Sequence, residues 1–163
     1  MELTRVKLYK TLLETRLVMP STAGKLLIVQ GENGIARLTL AGDAEDGTHT
    51  PLLKEARAQL EAYFAGRLKS FDLPLEEHGT PFEKAVWAAL RTVPYGQTRT
   101  YGEIAAQIGN PKAARAVGMA NHHNPIAIIT PCHRIIGANG ALTGYALGME
   151  MKRILLCTEG ILL

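Results

Sequence analysis

Hydrophobic periodicity passes from strand-like to mostly helical along this chain, whose length allows one domain or two small ones. Lys25-Leu-Leu-Ile-Val-Gln30 and Gly34-Ile-Ala-Arg-Leu-Thr-Leu40 are strand-length apolar runs joined by a Gly- and Asn-containing turn over 31–34, which predicts a β-hairpin. A further strand is expected within residues 5–17, a segment that could also be helical. From Pro51, the residues Leu52, Leu53, Ala56, Leu60, Tyr63 and Phe64 recur at helical spacing as far as Gly66. Residues 68–78 hold Pro74 and paired acids without periodicity, and read as an interdomain linker.

The remainder is mostly helical. Thr80, Pro81 and Glu83 form a capping-box pattern with proline at the first helical position, and Phe82, Val86, Trp87 and Leu90 give the helix one apolar face. Residues 101–108 predict a short helix, Gly109-Asn110 a tight turn, and residues 111–121 a second helix with an Asn110 cap. Two short helices about such a turn fit helix-turn-helix geometry, which also occurs in bundles that bind no nucleic acid. Residues 126–148 supply short extended pieces, with a turn at Ala138-Asn-Gly140 placed to tip a wing, and a last helix from about Met149 to Thr158 stops at Gly160. The expected fold is therefore α+β: residues 1–75 a small sheet with a helix, residues 76–163 a mostly helical domain.

Charge follows the same division. Counting Lys, Arg, Asp and Glu, residues 1–80 carry net −1 and residues 81–163 net +4. A modestly basic second half favours phosphate contact. No stretch approaches the roughly 18 apolar residues of a membrane span, and the first residues carry Glu2, Arg5, Lys7 and Lys10 with no continuous apolar core of a secretory signal. Cys132 and Cys157 form neither a CxxC pair nor a disulfide framework, so a reduced, cytoplasmic protein is expected.

The chemistry centres on Ile129-Thr130-Pro131-Cys132-His133-Arg134-Ile135. Pro131 fixes its own backbone angle and restricts Thr130, so Cys132 is presented on a stiffened stretch. A neighbouring imidazole and guanidinium both favour the thiolate, the nucleophilic form of cysteine. Upstream stand Asn110-Pro-Lys-Ala-Ala-Arg-Ala-Val-Gly118 and Asn121-His-His-Asn-Pro125; downstream stand Gly144-Tyr-Ala-Leu-Gly148 and Lys152-Arg-Ile-Leu-Leu-Cys-Thr-Glu-Gly160.

This array resembles the O6-alkylguanine-DNA alkyltransferases, over residues 80–160 without an evident gap; residues 1–79 resemble that family's variable, ribonuclease H-like N-terminal domain only loosely, chiefly around Tyr63–Arg67. The resemblance implies a winged helix-turn-helix second domain and repair of double-stranded DNA by direct reversal. The alkyl group of O6-alkylguanine, and of O4-methylthymine, passes irreversibly to Cys132 in a single turnover after the base is flipped. It implies that Cys132 is the acceptor, that Glu159 orients His133, which reaches the cysteine through a water, and that Asn124 braces the turn around it. Tyr101 donates to the flipped base, and Ile135, Tyr145, Ala146 and Leu147 line its pocket, with backbone groups of Cys132 and Ile135 receiving the guanine amine. Arg115 fills the gap left in the duplex, and the helix carrying Ala114, Arg115 and Gly118, with Thr100 and Asn110 nearby, faces the minor groove. Leu147 departs from the pattern, because many relatives carry glycine there.

The resemblance implies no cofactor and no metal, and a monomer. His122 and His123 point to different helix faces, His49 and His78 stand alone, and the zinc-binding cysteines of some relatives are missing from the first domain. Two other readings compete. One is a non-enzymatic protein that flags alkylated bases, whose representatives replace the cysteine, commonly by tryptophan. The other is a cysteine hydrolase built on Cys132, His133 and Glu159, disfavoured because adjacent residues rarely give direct nucleophile–base geometry.

Overall fold

The structure, a computed structural model, describes residues 15–161. The chain divides into two compact units, residues 1–76 and 77–163.

The first unit is a three-stranded antiparallel sheet, β1 (Arg16–Met19), β2 (Leu26–Gln30) and β3 (Ile35–Leu40), in that spatial order. Leu17 pairs with Ile28, Met19 with Leu26, and Ile28 with Leu38. Alternation along the strands therefore sends Leu17, Met19, Leu26, Ile28 and Leu38 to one buried face, and the register shift between Val29 and Gln30 brings Ile35 to the same face. Helix α1 (Pro51–Phe64) packs on β1 and β2 and buries Leu53, Ala56, Leu60 and Tyr63. Thr50 starts it by accepting from the Leu53 amide, with Pro51 in the first turn, where no partner for its missing N–H is needed. The expected hairpin is present, its turn closed by Gly31 N donating to Gly34 O at 2.8 Å. Of the further strand expected within 5–17, only the end coincides with β1; residues 5–14 lie outside the described residues.

The boundary between the units falls within the expected linker, but the part before it is paired. Ile35 N donates to Pro74 O and Glu76 N to Ile35 O, both at 2.8 Å, so Leu75 forms a parallel bridge with Ile35. Gln59 also clamps Asp72, donating to its carbonyl at 3.0 Å and accepting from its amide at 2.9 Å. This segment satisfies backbone groups that edge strand β3 would otherwise leave open. A proline still offers its carbonyl, so Pro74 does not prevent it.

The second unit holds α2 (Pro81–Leu90), β4 (Arg99–Thr100), α3 (Tyr101–Gln107), α4 (Ala114–His122), a 3₁₀ turn (Cys132–Arg134), β5 (Ile135–Ile136) and α5 (Met149–Thr158). The capping box at Thr80 and Glu83 is formed, and an equivalent one at Thr100 and Glu103 starts α3. Trp87, 1% exposed, donates its indole N–H to Ala120 O at 2.8 Å and ties α2 to α4. Between α3 and α4 the chain turns at Gly109 with φ +82°, a conformation other residues reach at a cost.

Helix α4 corrects the expected start. Residues 110–113 form a turn, Ala113 N donating to Asn110 O at 3.0 Å, and the helix begins at Ala114 with no side-chain cap. Asn-Pro at the first two positions suits a β-turn as well as a helix start, and here the turn wins. The turn after β5 is present, with Gly140 N on Gly137 O at 2.9 Å, but β5 pairs in parallel with β4, Arg99 opposite Ile135. Among the described residues, no helix is long and apolar enough to cross a membrane.

Candidate active site

The loop that delivers Cys132 is folded upon itself. Asn124 donates its side-chain amide to Thr130 O at 2.8 Å and accepts from Ile126 N at 3.0 Å, joining both ends of residues 126–130. Thr130 N also donates to Ile126 O at 3.0 Å, and Arg91 reaches the Thr130 hydroxyl at 2.9 Å. Ile126, Ala127, Ile128 and Ile129 are buried, so the loop is a plug of core. Ile128 adopts φ 72°, a left-handed conformation that costs a β-branched residue on the order of 1–3 kcal/mol. Burial and the Asn124 bridge hold it there.

Cys132 follows on the 3₁₀ turn, 4% exposed, with its carbonyl accepting from Asn121 Nδ2 at 3.3 Å. Burial pushes its thiol above the ordinary range; hydrogen bonds with Asn124 and Tyr145 and the charge of Lys152 oppose that push. This corrects the expectation that His133 and Arg134 supply the thiolate's stabilisation. Both side chains of the adjacent residues turn to a different partner, Glu159. Cys132 therefore rests as a thiol.

Glu159 caps the C-terminus of α5, 5% exposed. Its Oε2 meets His133 Nε2 at 2.5 Å and Arg134 Nη2 at 3.2 Å, while Oε1 accepts from Arg134 Nε at 2.8 Å and Gly96 N at 3.1 Å. An anion at a helix C-terminus opposes the dipole, and these donors offset that. His133 is fully buried, and burial holds its imidazole below the ordinary value despite the pull of Glu159. The ring is therefore neutral near pH 7, with its Nε2 proton directed at the carboxylate. Its Nδ1, also buried, meets no hydrogen-bond partner among the described residues and presents a lone pair.

Lys152 is a functional candidate that the sequence reading missed. It is 0% exposed, and its ammonium donates to Ile135 O at 2.5 Å and Thr143 O at 3.1 Å. Burial lowers its pKa and the charge of Cys132 raises it. The Ile135 carbonyl, expected to receive the guanine amine, thus already accepts one proton and keeps one lone pair. The missed signal lies in α5: Lys152, Leu156 and Glu159 share a helical face that is buried.

The other expected residues fall into two groups. Tyr101 opens α3, half-buried, and its oxygen accepts from the Thr143 hydroxyl at 3.2 Å. A Cβ at Gly118 would stand 3.8 Å from the Tyr101 ring, so α4 lies alongside that ring. Tyr145 is buried, Leu147 half-buried and Ala146 exposed. On α4, Arg115 is exposed and Ala114 and Gly118 are half-buried; Asn110 is exposed on the preceding turn, and Thr100 is half-buried as the cap of α3.

Residues 81–161 match the model of the 6-O-methylguanine DNA methyltransferase DNA binding domain, and residues 8–76 that of the 6-O-methylguanine DNA methyltransferase ribonuclease-like domain. A methylated-DNA–protein-cysteine methyltransferase of Methanosarcina acetivorans is 55% identical over 148 residues, covering 79% of this chain and 95% of the relative. The constitutive one of Bacillus subtilis is 48% identical over 149 residues, covering 85% and 90%. The crystal structure of Mycobacterium tuberculosis OGT in complex with DNA superposes with a TM-score of 0.82 at 48% identity, covering 90% of this chain and 93% of that one. The chain belongs to the 6-O-methylguanine DNA methyltransferase family, the methylated-DNA–protein-cysteine methyltransferases.

Proposed function

We propose that this protein repairs double-stranded DNA by moving the alkyl group of O6-alkylguanine, and of O4-methylthymine, onto its own Cys132. The observation that carries the reading is the pairing of a buried cysteine with a neutral histidine whose Nε2 is committed to Glu159 and whose Nδ1 is not. In the proposed reaction the Cys132 proton passes through one water to His133 Nδ1. The sulfur forms a bond to the alkyl carbon as the bond from that carbon to the guanine oxygen breaks. The electron pair stays with the base, which regains a ring proton from solvent after release. Nothing in the site offers chemistry to cleave the thioether, so each molecule reacts once.

The rest of the site fits that sequence. A thiol held protonated by burial ionises only when a base takes its proton, and Asn124, Tyr145 and Lys152 are the groups that steady the resulting charge. The Tyr101 oxygen accepts from Thr143, which leaves its own proton to donate to the base. Cys132 is only 4% exposed, and the alkylated oxygen of a stacked guanine lies within the duplex, so the base is flipped to meet the sulfur. Exposed Arg115 takes the vacated place in the stack, and Ala114 and Gly118 let α4 approach the minor groove closely. Phosphate contacts by the basic second unit carry no sequence information, which suits a protein that searches any sequence for damage. The protein acts as a monomer, in the cytoplasm and without a cofactor.

Incubation with a duplex carrying labelled O6-methylguanine tests this directly. Transfer of label to protein is expected. Tight binding without transfer would support a flagging role instead, and turnover of ester substrates would support a hydrolase.

A further inference from the structure

His133 and Arg134 share one acceptor, Glu159, and the sharing has a consequence for where protons reside. The carboxylate takes both Nε and Nη2 of Arg134, at 2.8 and 3.2 Å, as well as His133 Nε2 at 2.5 Å. Arg134 is held in place independently: its Nη1 donates to Val93 O at 2.6 Å, and its guanidinium lies 5.9 Å from the centre of the Tyr95 ring, whose hydroxyl donates to Thr158 O at 3.0 Å. Arginine stays charged under all relevant conditions. We propose that Arg134 is a positioning residue, the permanent counter-ion of Glu159, which reserves His133 as a neutral base. The inference deepens the reading of Cys132 and His133 above and rests on it.

Charge balance in a buried place decides where the proton rests. With Arg134 present, Glu159 and Arg134 cancel, and a neutral His133 leaves the cluster uncharged. Without Arg134, the buried carboxylate loses its compensating charge, and drawing a proton onto His133 restores it. The imidazole would then be spent as a base before substrate arrived. The charged and titratable groups around His133 are Cys132 and Arg134 on its own turn, Lys152 and Glu159 of α5, and Tyr95 beside the Arg134–Glu159 pair. Burial, and the charges of Arg134 and Lys152, disfavour the imidazolium; Glu159 alone among them favours it in the resting state.

The same balance couples the proton to the chemistry. Proton transfer from Cys132 to His133 creates an imidazolium and a thiolate together, so the buried region keeps its net charge. When the sulfur is alkylated the thiolate charge is gone, the imidazolium loses its compensation, and the proton leaves to solvent.

The test is a side-chain nitrogen NMR titration of His133 in the full-length protein, paired with the pH profile of methyl transfer from O6-methylguanine duplex. In the wild type, His133 is expected to stay neutral, protonated on Nε2, between about pH 6 and 8, where free imidazole changes charge. A His133 already charged at neutral pH overturns the proposal without any variant. Arg134→Met is expected to raise the His133 midpoint on the order of 1–3 units and to move the acid limb of the transfer profile upward with it. Arg134→Lys, which keeps the cation, is expected to restore the wild-type midpoint in part, and serves if the Met variant fails to fold. Rates that fall equally at every pH, with the midpoint unmoved in a folded variant, would assign Arg134 to the fold alone. Wild-type protein that transfers no methyl group refutes the function, whereas transfer by a protein with charged His133 refutes this inference only.

Discussion

His133 Nε2 lies 2.5 Å from Glu159 Oε2, and the carboxylate that holds the ring belongs to the residue that ends α5, 26 positions further along the chain. Both side chains are fully shielded from solvent. A ring that keeps its orientation while buried is the feature on which the proposed reactivity and much of the pH behaviour rest.

The first expectation concerns stability against pH. The folded His133 binds a proton less readily than the unfolded ring, because burial holds its pKa below about 6.5. Between the folded and unfolded values the unfolded chain carries the extra proton, so stability rises with pH there. This contribution is complete above about pH 6.5 and is lost as pH falls below it. Thermal midpoints measured between roughly pH 7.5 and 5.5 should decline, and His133→Gln should flatten that decline. An equal acid decline in both proteins would assign it to other groups.

Lys152 should separate reactivity from stability. In Lys152→Met the buried Ile135 carbonyl loses its donor, at a cost of about 1–3 kcal/mol, while the penalty of burying an ammonium disappears. The two oppose each other, and a net change below about 2 kcal/mol is expected. The thiol, however, loses a favourable charge. Alkylation of Cys132 by iodoacetamide, followed by mass spectrometry across pH, should show its midpoint move upward. An unchanged midpoint would remove Lys152 from the chemistry.

How much of this was legible beforehand varies with the kind of interaction. The capping box at Thr80, the hairpin turn at 31–34 and the stop of α5 rest on local rules, and they form as read. Asn110-Pro111 satisfies two local rules at once, so sequence could not choose between a turn and a helix cap. Pro74 gave no sign that its carbonyl would pair with β3, because that bond joins residues 39 positions apart. Cys132 and His133 stand out by their adjacency and Glu159 through the resemblance, but the role of Arg134 as the counter-ion of Glu159 does not. A lysine amid Met151, Leu155 and Leu156 reads as a surface residue unless helical phase is followed to Glu159.

Arg115 should matter only where a base must be extruded. Its side chain is exposed on α4 and contributes nothing to the core. Arg115→Ala is expected to slow repair of duplex DNA strongly and to leave reaction with free O6-benzylguanine nearly unchanged, since the cost of extrusion, a few kcal/mol, is absent there. Equal losses on both substrates would place Arg115 in the pocket or the fold.

Leu147 should set the tolerance for bulky groups. It is half-buried, two residues after the buried Tyr145. Leu147→Gly is expected to speed benzyl transfer and leave methyl transfer little changed, because overpacking a tight site costs about 1–3 kcal/mol. If the glycine variant instead loses thermal stability and gains no benzyl rate, Leu147 belongs to the core.

The most direct measurement is the intact mass of the protein after exposure to excess O6-methylguanine duplex, followed by peptide mapping. The two cysteines provide an internal contrast, since Cys157 is exposed and Cys132 is buried. A gain of one methyl group, on Cys132 with Cys157 untouched and with no further substrate consumed, is the predicted result. Methylation of Cys157, or conversion of several equivalents of substrate by unmodified protein, would contradict the account.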